Sequence, residues 1–208
     1  MIKNLIWDFD GTLCNTYPSI IRTLKASLKD FGYIVDEKEI LSKVKITLGE
    51  AFDYYSNKYK LGEKLSKRFA QYTRLPKERP PYNFVVEVCE LIIDRNGANY
   101  IITHRDRKST FEILNYYGLA TFFEEIITAD DGFAKKPDSE AFNYLIKKYG
   151  LNRDETLGIG DRELDIKAAK NAGIKSCYFD EFGMPTETKP DLEINSFLEL
   201  LQLLENGL

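Results

Sequence analysis

The chain has 208 residues, 43% of them hydrophobic and 30% charged, which suits one ordinary core with an insertion or two small domains and excludes a disordered chain. Its net charge of −4, with acidic and basic residues mixed and no concentrated basic run, argues against a general nucleic-acid binder. No apolar run approaches membrane-spanning length, and the few residues ahead of Asp8 leave no room for a signal peptide's apolar region, so a cytoplasmic protein with no membrane partner is the expectation. Cys14, Cys89 and Cys177 lie far apart with no CxxC spacing, which suggests reduced, buried thiols and neither a disulfide framework nor a thiolate zinc site.

In chain order, Leu5-Ile6-Trp7 predicts a short buried strand that runs into Asp8-Phe9-Asp10-Gly11-Thr12-Leu13. Gly11 permits a sharp turn, which would set the two carboxylates beside one small space. Two like charges so close need a proton or a cation, and a divalent metal with oxygen ligands supplies the latter. The plainer alternative is a polar corner between strand and turn. From Pro18 to Phe31 the apolar residues Ile21, Leu24, Leu28 and Phe31 recur at helical spacing, and Gly32 follows as a stop signal. Further helical stretches run over Asp36 to Val44, Leu48 to Tyr59 and Gly62 to Tyr72, with no alternating strand pattern between Asn15 and Leu75. Residues 15–75 read as an all-helical cap domain, its tyrosines Tyr54, Tyr55 and Tyr59 as packing residues. The run Pro76-Lys77-Glu78-Arg79-Pro80-Pro81 breaks regular structure and marks the boundary.

Residues 1–14 with 76–208 read as the core domain. After the boundary, helices near Tyr82 to Asn96, Arg107 to Tyr117, Ser139 to Tyr149 and Glu163 to Asn171 alternate with strands at Asn99 to Thr103, Glu125 to Thr128, Thr156 to Ile159 and Lys175 to Phe179. Leu192-Glu193-Ile194 adds an edge strand, and Ser196 with Glu199 forms a capping box for a last helix. The fold class is α/β: a doubly wound, Rossmann-like parallel sheet with an inserted all-helical cap. Ligands bind beyond the carboxyl ends of such strands. Those ends carry Asp8 and Asp10, then Thr103-His104-Arg105-Asp106, then Gly160-Asp161 with Asp165 one helical turn on, while the third strand leads to Lys135-Lys136-Pro137. Singly, each is ordinary turn or capping chemistry; jointly, they place a carboxylate nucleophile, a hydroxyl, a lysine and further carboxylates on one rim, as phosphoryl chemistry needs.

Asp8-Phe9-Asp10-Gly11-Thr12-Leu13, Thr103, Lys136-Pro137 and Gly160-Asp161-Arg162-Glu163-Leu164-Asp165, followed by Ala168-Ala169-Lys170-Asn171-Ala172-Gly173, span essentially the whole chain. In that order they resemble the signatures of the haloacid dehalogenase-like hydrolase superfamily, in the branch with a helical cap after the first motif. The resemblance implies a Mg²⁺-dependent phosphatase for a small phosphorylated metabolite, of the phosphoglycolate or sugar phosphate class. It implies Asp8 as the nucleophile that becomes an aspartyl-phosphate and Asp10 as general acid and then base. It implies Mg²⁺ held by Asp8, the Asp10 backbone carbonyl and Asp161, with Asp165 orienting that shell. Thr103 and Lys136 would bind the phosphoryl group, helped by the Gly11 and Thr12 amides; Lys136 is preferred to Lys135 because the family's lysine directly precedes the proline. His104 and Arg105 are candidate phosphate or substrate contacts or plain surface residues. Lys45 falls in a cap stretch that often faces the site in such relatives, and reads equally as a solvated lysine. Cys14-Asn15-Thr16 departs from the common acidic residue before Ser or Thr, which touches the hinge more than the chemistry.

Asp10 speaks against a dehalogenase or phosphonate-cleaving member, neither of which needs an acid for an alcohol leaving group. A sugar phosphomutase keeps the same motifs and is the enzymatic alternative; a non-catalytic metabolite sensor is the other. The assembly expected is a monomer or homodimer.

Overall fold

The computed structural model describes residues 1–72 and 75–208; Thr73 and Arg74, inside the predicted helical insertion, lie outside the described residues. Backbone contacts divide the chain into two compact units, residues 1–15 with 80–208, and residues 16–79.

The second unit is helical. Its helices are α1 (Tyr17–Asp30), α2 (Glu37–Val44), α3 (Leu48–Tyr59) and α4 (Lys64–Gln71). Asp36 caps α2 by accepting from the Lys38 amide at 2.8 Å, and Thr47 caps α3 by accepting from the Glu50 amide at 3.0 Å. Every third or fourth residue of α1 points inward, so that Ile20, Leu24 and Leu28 meet Ile40, Tyr55 and Phe69 in a hydrophobic core belonging to this unit alone. Tyr55 is fully buried and Tyr59 stacks on Tyr33 with ring centroids 3.8 Å apart, which makes these tyrosines packing residues. Lys45, at the end of α2, is buried with its ammonium 5.3 Å from the centroid of the Tyr17 ring.

The first unit is built on six parallel strands, β1 (Asn4–Trp7), β2 (Ala98–Ile102), β3 (Phe123–Ile127), β4 (Thr156–Gly160), β5 (Lys175–Phe179) and β6 (Leu192–Ile194). Their order is β3-β2-β1-β4-β5-β6. Helices α5 (Val85–Asp94), α6 (Arg107–Tyr116), α7 (Glu140–Tyr149), α8 (Glu163–Asn171) and α9 (Phe197–Glu205) make the connections and the covering layers. Side chains alternate across β1: Leu5 and Trp7 join Val88, Ile92, Phe197 and Leu200, whereas Ile6 joins Phe142, Leu145 and Ala169. The sheet is therefore covered on both faces. The buried indole N–H of Trp7 donates to Asn99 Oδ1 at 3.2 Å, and Asn99 Nδ2 donates to the Cys89 carbonyl at 3.1 Å, so the polar atoms inside this layer are satisfied. All three cysteines are buried and unbridged.

Several predicted bounds shift. Helix α5 starts at Val85 and not at Tyr82, because Phe84 takes a left-handed backbone (φ 68°) that no helix interior tolerates. Pro76–Glu78 forms one turn of 3-10 helix where an irregular linker is predicted. At α9, Ser196 Oγ accepts from the Glu199 amide at 3.3 Å, but the Glu199 carboxylate reaches the Asn195 amide, one residue short of a true capping box. Strand order reverses between β1 and β4, and a doubly wound sheet opens a crevice beyond the carboxyl ends of the two strands at that point.

Candidate active site

The tip of β1 places Asp8. Its amide donates to the Ile159 carbonyl at 2.8 Å, extending the pairing with β4 one residue past the strand and fixing the buried carboxylate at the crevice. Gly11 then turns the chain with φ 77°. Its amide donates to the Cys14 carbonyl at 2.9 Å, which closes the loop. The expectation that the Gly11 amide serves a phosphate is corrected here: that N–H is committed within the turn. Thr12 is fully buried, and its hydroxyl donates to Asp161 Oδ1 at 3.2 Å, tying the first motif to the last.

Beyond β2, the Thr103 amide donates to the Ile127 carbonyl at 2.9 Å. Thr103 Oγ1 accepts from the Arg105 amide at 3.1 Å, which leaves the hydroxyl hydrogen to donate elsewhere. The loop after β3 brings in Lys136, whose side chain is 2% exposed, whereas Lys135 is exposed. Lys136 Nζ donates to Asp8 Oδ1 at 2.5 Å and to the Ile102 carbonyl at 3.1 Å. Asp165 Oδ1 lies 2.5 Å from the same ammonium as an ion pair. The Lys136 amide donates to His104 Nε2 at 2.9 Å, so His104 is a neutral acceptor that braces this loop. Burial, and then the Lys136 and Arg162 cations, hold the imidazole down at about 4.

Beyond β4, a methyl group on Gly160 would lie 2.2 Å from Asp165 Cβ, so only glycine lets the first turn of α8 close onto the strand. Asp165 Oδ2 accepts from the Arg162 amide at 3.2 Å at the helix N-terminus. The Arg162 guanidinium is 3.4 Å from Asp8 Oδ1, 3.5 Å from Asp165 Oδ2 and 3.9 Å from Asp161 Oδ1.

Asp8, Asp161 and Asp165 thus offer carboxylate oxygens within 4.8 Å of one another, all buried. Lys136 and Arg162 are cations that face these carboxylates. Burial and the neighbouring Asp165 push the Asp8 carboxyl above its usual range against the pull of Lys136 and Arg162. Burial works against the Lys136 charge too, but Asp165 and Asp8 outweigh it and raise that ammonium. Asp8 Oδ2 is buried without a hydrogen-bond partner among the described residues. An orphaned carboxylate oxygen in an all-oxygen cluster of three carboxylates fits a hard divalent cation. Asp165 belongs to this cluster, and the Asp10 carboxylate does not.

Asp10 turns instead to Arg105. The guanidinium Nε is 3.2 and 3.1 Å from the two Asp10 oxygens and Nη2 is 2.5 Å from Oδ1. Burial opposes the Arg105 charge, and Asp10 more than restores it. Arg162 and the Thr12 hydroxyl have no role in the sequence reading; Arg162 was legible as a cation two residues past a strand end on the same rim. The structure gathers Asp8, Asp10, Thr12, Thr103, His104, Arg105, Lys136, Asp161 and Asp165 around the crevice of the first unit, while Lys45 belongs to the helical unit.

The profile of the haloacid dehalogenase-like hydrolases matches residues 5–179. The chain belongs to that family. It is an enzyme, a hydrolase of the phosphatase type. Among curated relatives it is 29% identical to the phosphoglycolate phosphatase of Vibrio cholerae, over 98% of this chain and 97% of the relative. It is 26% identical to the pyrophosphatase PpaX of Halalkalibacterium halodurans, over 84% and 82%. A solved structure described as a predicted phosphoglycolate phosphatase from Haemophilus somnus superposes with a TM-score of 0.82 at 23% identity, covering 98% of both chains, which shows a shared fold.

Proposed function

We propose that the protein is a Mg²⁺-dependent phosphatase that hydrolyses a small phosphorylated metabolite through an aspartyl-phosphate on Asp8. The observation that carries this reading is Asp8 itself: one oxygen held by Lys136, the other buried with no hydrogen-bond partner, beside the outward-capable hydroxyl of Thr103. Asp8, Asp161 and the Asp10 backbone carbonyl would hold Mg²⁺, with Asp165 orienting them; bound there, the ion would neutralise charge on the transferred group. Lys136 and the Thr103 hydroxyl bind the phosphoryl oxygens, and Lys136 and Arg162 lower the repulsion between an anionic nucleophile and an anionic substrate. Asp8 forms a bond to phosphorus as the ester P–O bond breaks, and Asp10 gives its proton to the departing oxygen. Asp10 then takes a proton from water, which attacks the aspartyl-phosphate and returns Asp8 with inorganic phosphate. Residues 16–79 are read as the cap of such enzymes, and the unbridged, buried cysteines agree with a reducing cytoplasm.

The test is phosphate release from a panel of small phosphomonoesters with and without Mg²⁺. Release that needs the metal, disappears on chelation and falls by about a thousandfold or more in Asp8→Asn is expected, the scale seen when a nucleophile is removed. Turnover undiminished by chelation or by that substitution would defeat the proposal.

A further inference from the structure

We propose that Arg105 determines specificity by receiving a second anionic group on the substrate's leaving portion. The inference rests on the phosphatase reading above and names its substrate class: phosphoryl compounds that carry a carboxylate or second phosphate within a bond or two of the bridging oxygen. Sugar phosphates, whose leaving portion is neutral, fall outside it.

Three observations carry the assignment. The first is placement. Lys136 and Arg162 both face the carboxylates of Asp8 and Asp165. Arg105 pairs with Asp10, the residue that meets the leaving oxygen. A substituent just beyond that oxygen comes within reach of the guanidinium. The second is unspent donor capacity. A guanidinium has five N–H groups. Nε and Nη2 serve Asp10, and Nη1 donates to Ser109 Oγ at 3.2 Å, which leaves one N–H on each terminal nitrogen with no partner among the described residues. A planar anion can take both without displacing Asp10, and a hydroxyl or alkyl tail cannot. The third is stiffness. Arg105 is 11% exposed, its backbone amide is bonded to Thr103 Oγ1, and its side chain is held by Asp10 and Ser109. One residue therefore sets the orientation of a phosphate-binding hydroxyl and a second cationic fork, so that little further ordering is needed on binding.

The experiment compares kcat/KM of the full-length enzyme and Arg105→Met, both with Mg²⁺, on 2-phosphoglycolate, inorganic pyrophosphate and ethyl phosphate. Ethyl phosphate replaces the glycolate carboxylate by a methyl group. The expected result is a loss on whichever anionic substrate the unaltered enzyme prefers that exceeds the loss on ethyl phosphate by about tenfold or more, the scale of one charge-assisted contact, while the smaller loss on ethyl phosphate reads what Arg105 contributes through Asp10. The two anionic arms distinguish a carboxylate from a phosphate as the group received. An equal loss on all three would mean that Arg105 only positions Asp10, and no loss would mean that it contacts nothing; either overturns the assignment. If Arg105→Met fails to fold, Arg105→Lys, which keeps the charge and loses the fork, carries the same comparison with a smaller selective loss. Release of phosphate by the unaltered enzyme from neutral-tailed esters alone overturns the substrate class, whereas failure on the whole panel of phosphomonoesters with Mg²⁺ overturns the phosphatase reading itself, a result distinct from unselective loss in the variants.

Discussion

His104 is the chain's one histidine, and its imidazole is neutral because it accepts the Lys136 amide inside a partly buried, cation-rich corner. An unfolded chain protonates this group near 6.5, whereas the folded one resists until about 4. Between those values the unfolded state binds the extra proton, so His104 makes stability fall as pH drops from 6.5 towards 4 and adds no further slope below. Denaturant unfolding of His104→Asn across this range should show a shallower fall than the unaltered protein; parallel curves would contradict the role given to the imidazole. The carboxylates were legible in the sequence because Asp8 and Asp161 end apolar runs, with Asp10 and Asp165 close behind them. Partners were not. Arg105 could equally clamp a ligand or lie on the surface, and only the fold shows that its fork closes on Asp10. The Gly11 amide was misread for a related reason, since a turn's internal hydrogen bonds depend on backbone angles and not on residue type.

Among the elements, α8 carries most of the burden at the site. Its first turn supplies Asp165, and Gly160 lets that turn lie against β4. A methyl group there cannot be accommodated by a flexible chain end, because it meets Asp165 at Cβ and Cγ, 2.2 and 2.5 Å away. Gly160→Ala should lower the unfolding free energy by about 1–3 kcal/mol, as overpacked sites do, and should also reduce activity by moving Asp165 off Lys136. A urea unfolding curve unchanged from the parent would contradict this packing. Strand and helix types were readable from periodicity, whereas several ends were not: the left-handed Phe84 cuts α5 short, and Asn195 takes the half of the cap expected at Ser196. Both depend on local backbone geometry that propensity does not encode.

Over the whole molecule, hydrophobic residues segregate into three clusters, two on the faces of one parallel sheet and one within the helical unit. The alternation of short strands and helices predicted a doubly wound sheet, and the lack of alternation between Asn15 and Leu75 predicted a helical insertion. The order β3-β2-β1-β4-β5-β6 was not readable, since it follows from long-range packing and the right-handed crossover of parallel strands. That order brings the ends of β1, β2 and β4 together, and with them a chemistry that separated motifs only suggest. The central claim is that Asp8 carries the phosphoryl group. Acid quenching of enzyme, Mg²⁺ and radiolabelled substrate in the first turnover, followed by mass-spectrometric mapping, tests it most directly. The account predicts a labile phosphoryl group on Asp8, lost with continued turnover and absent from Asp8→Asn; label on another residue, or none at Asp8 while phosphate is released at full rate, would contradict it.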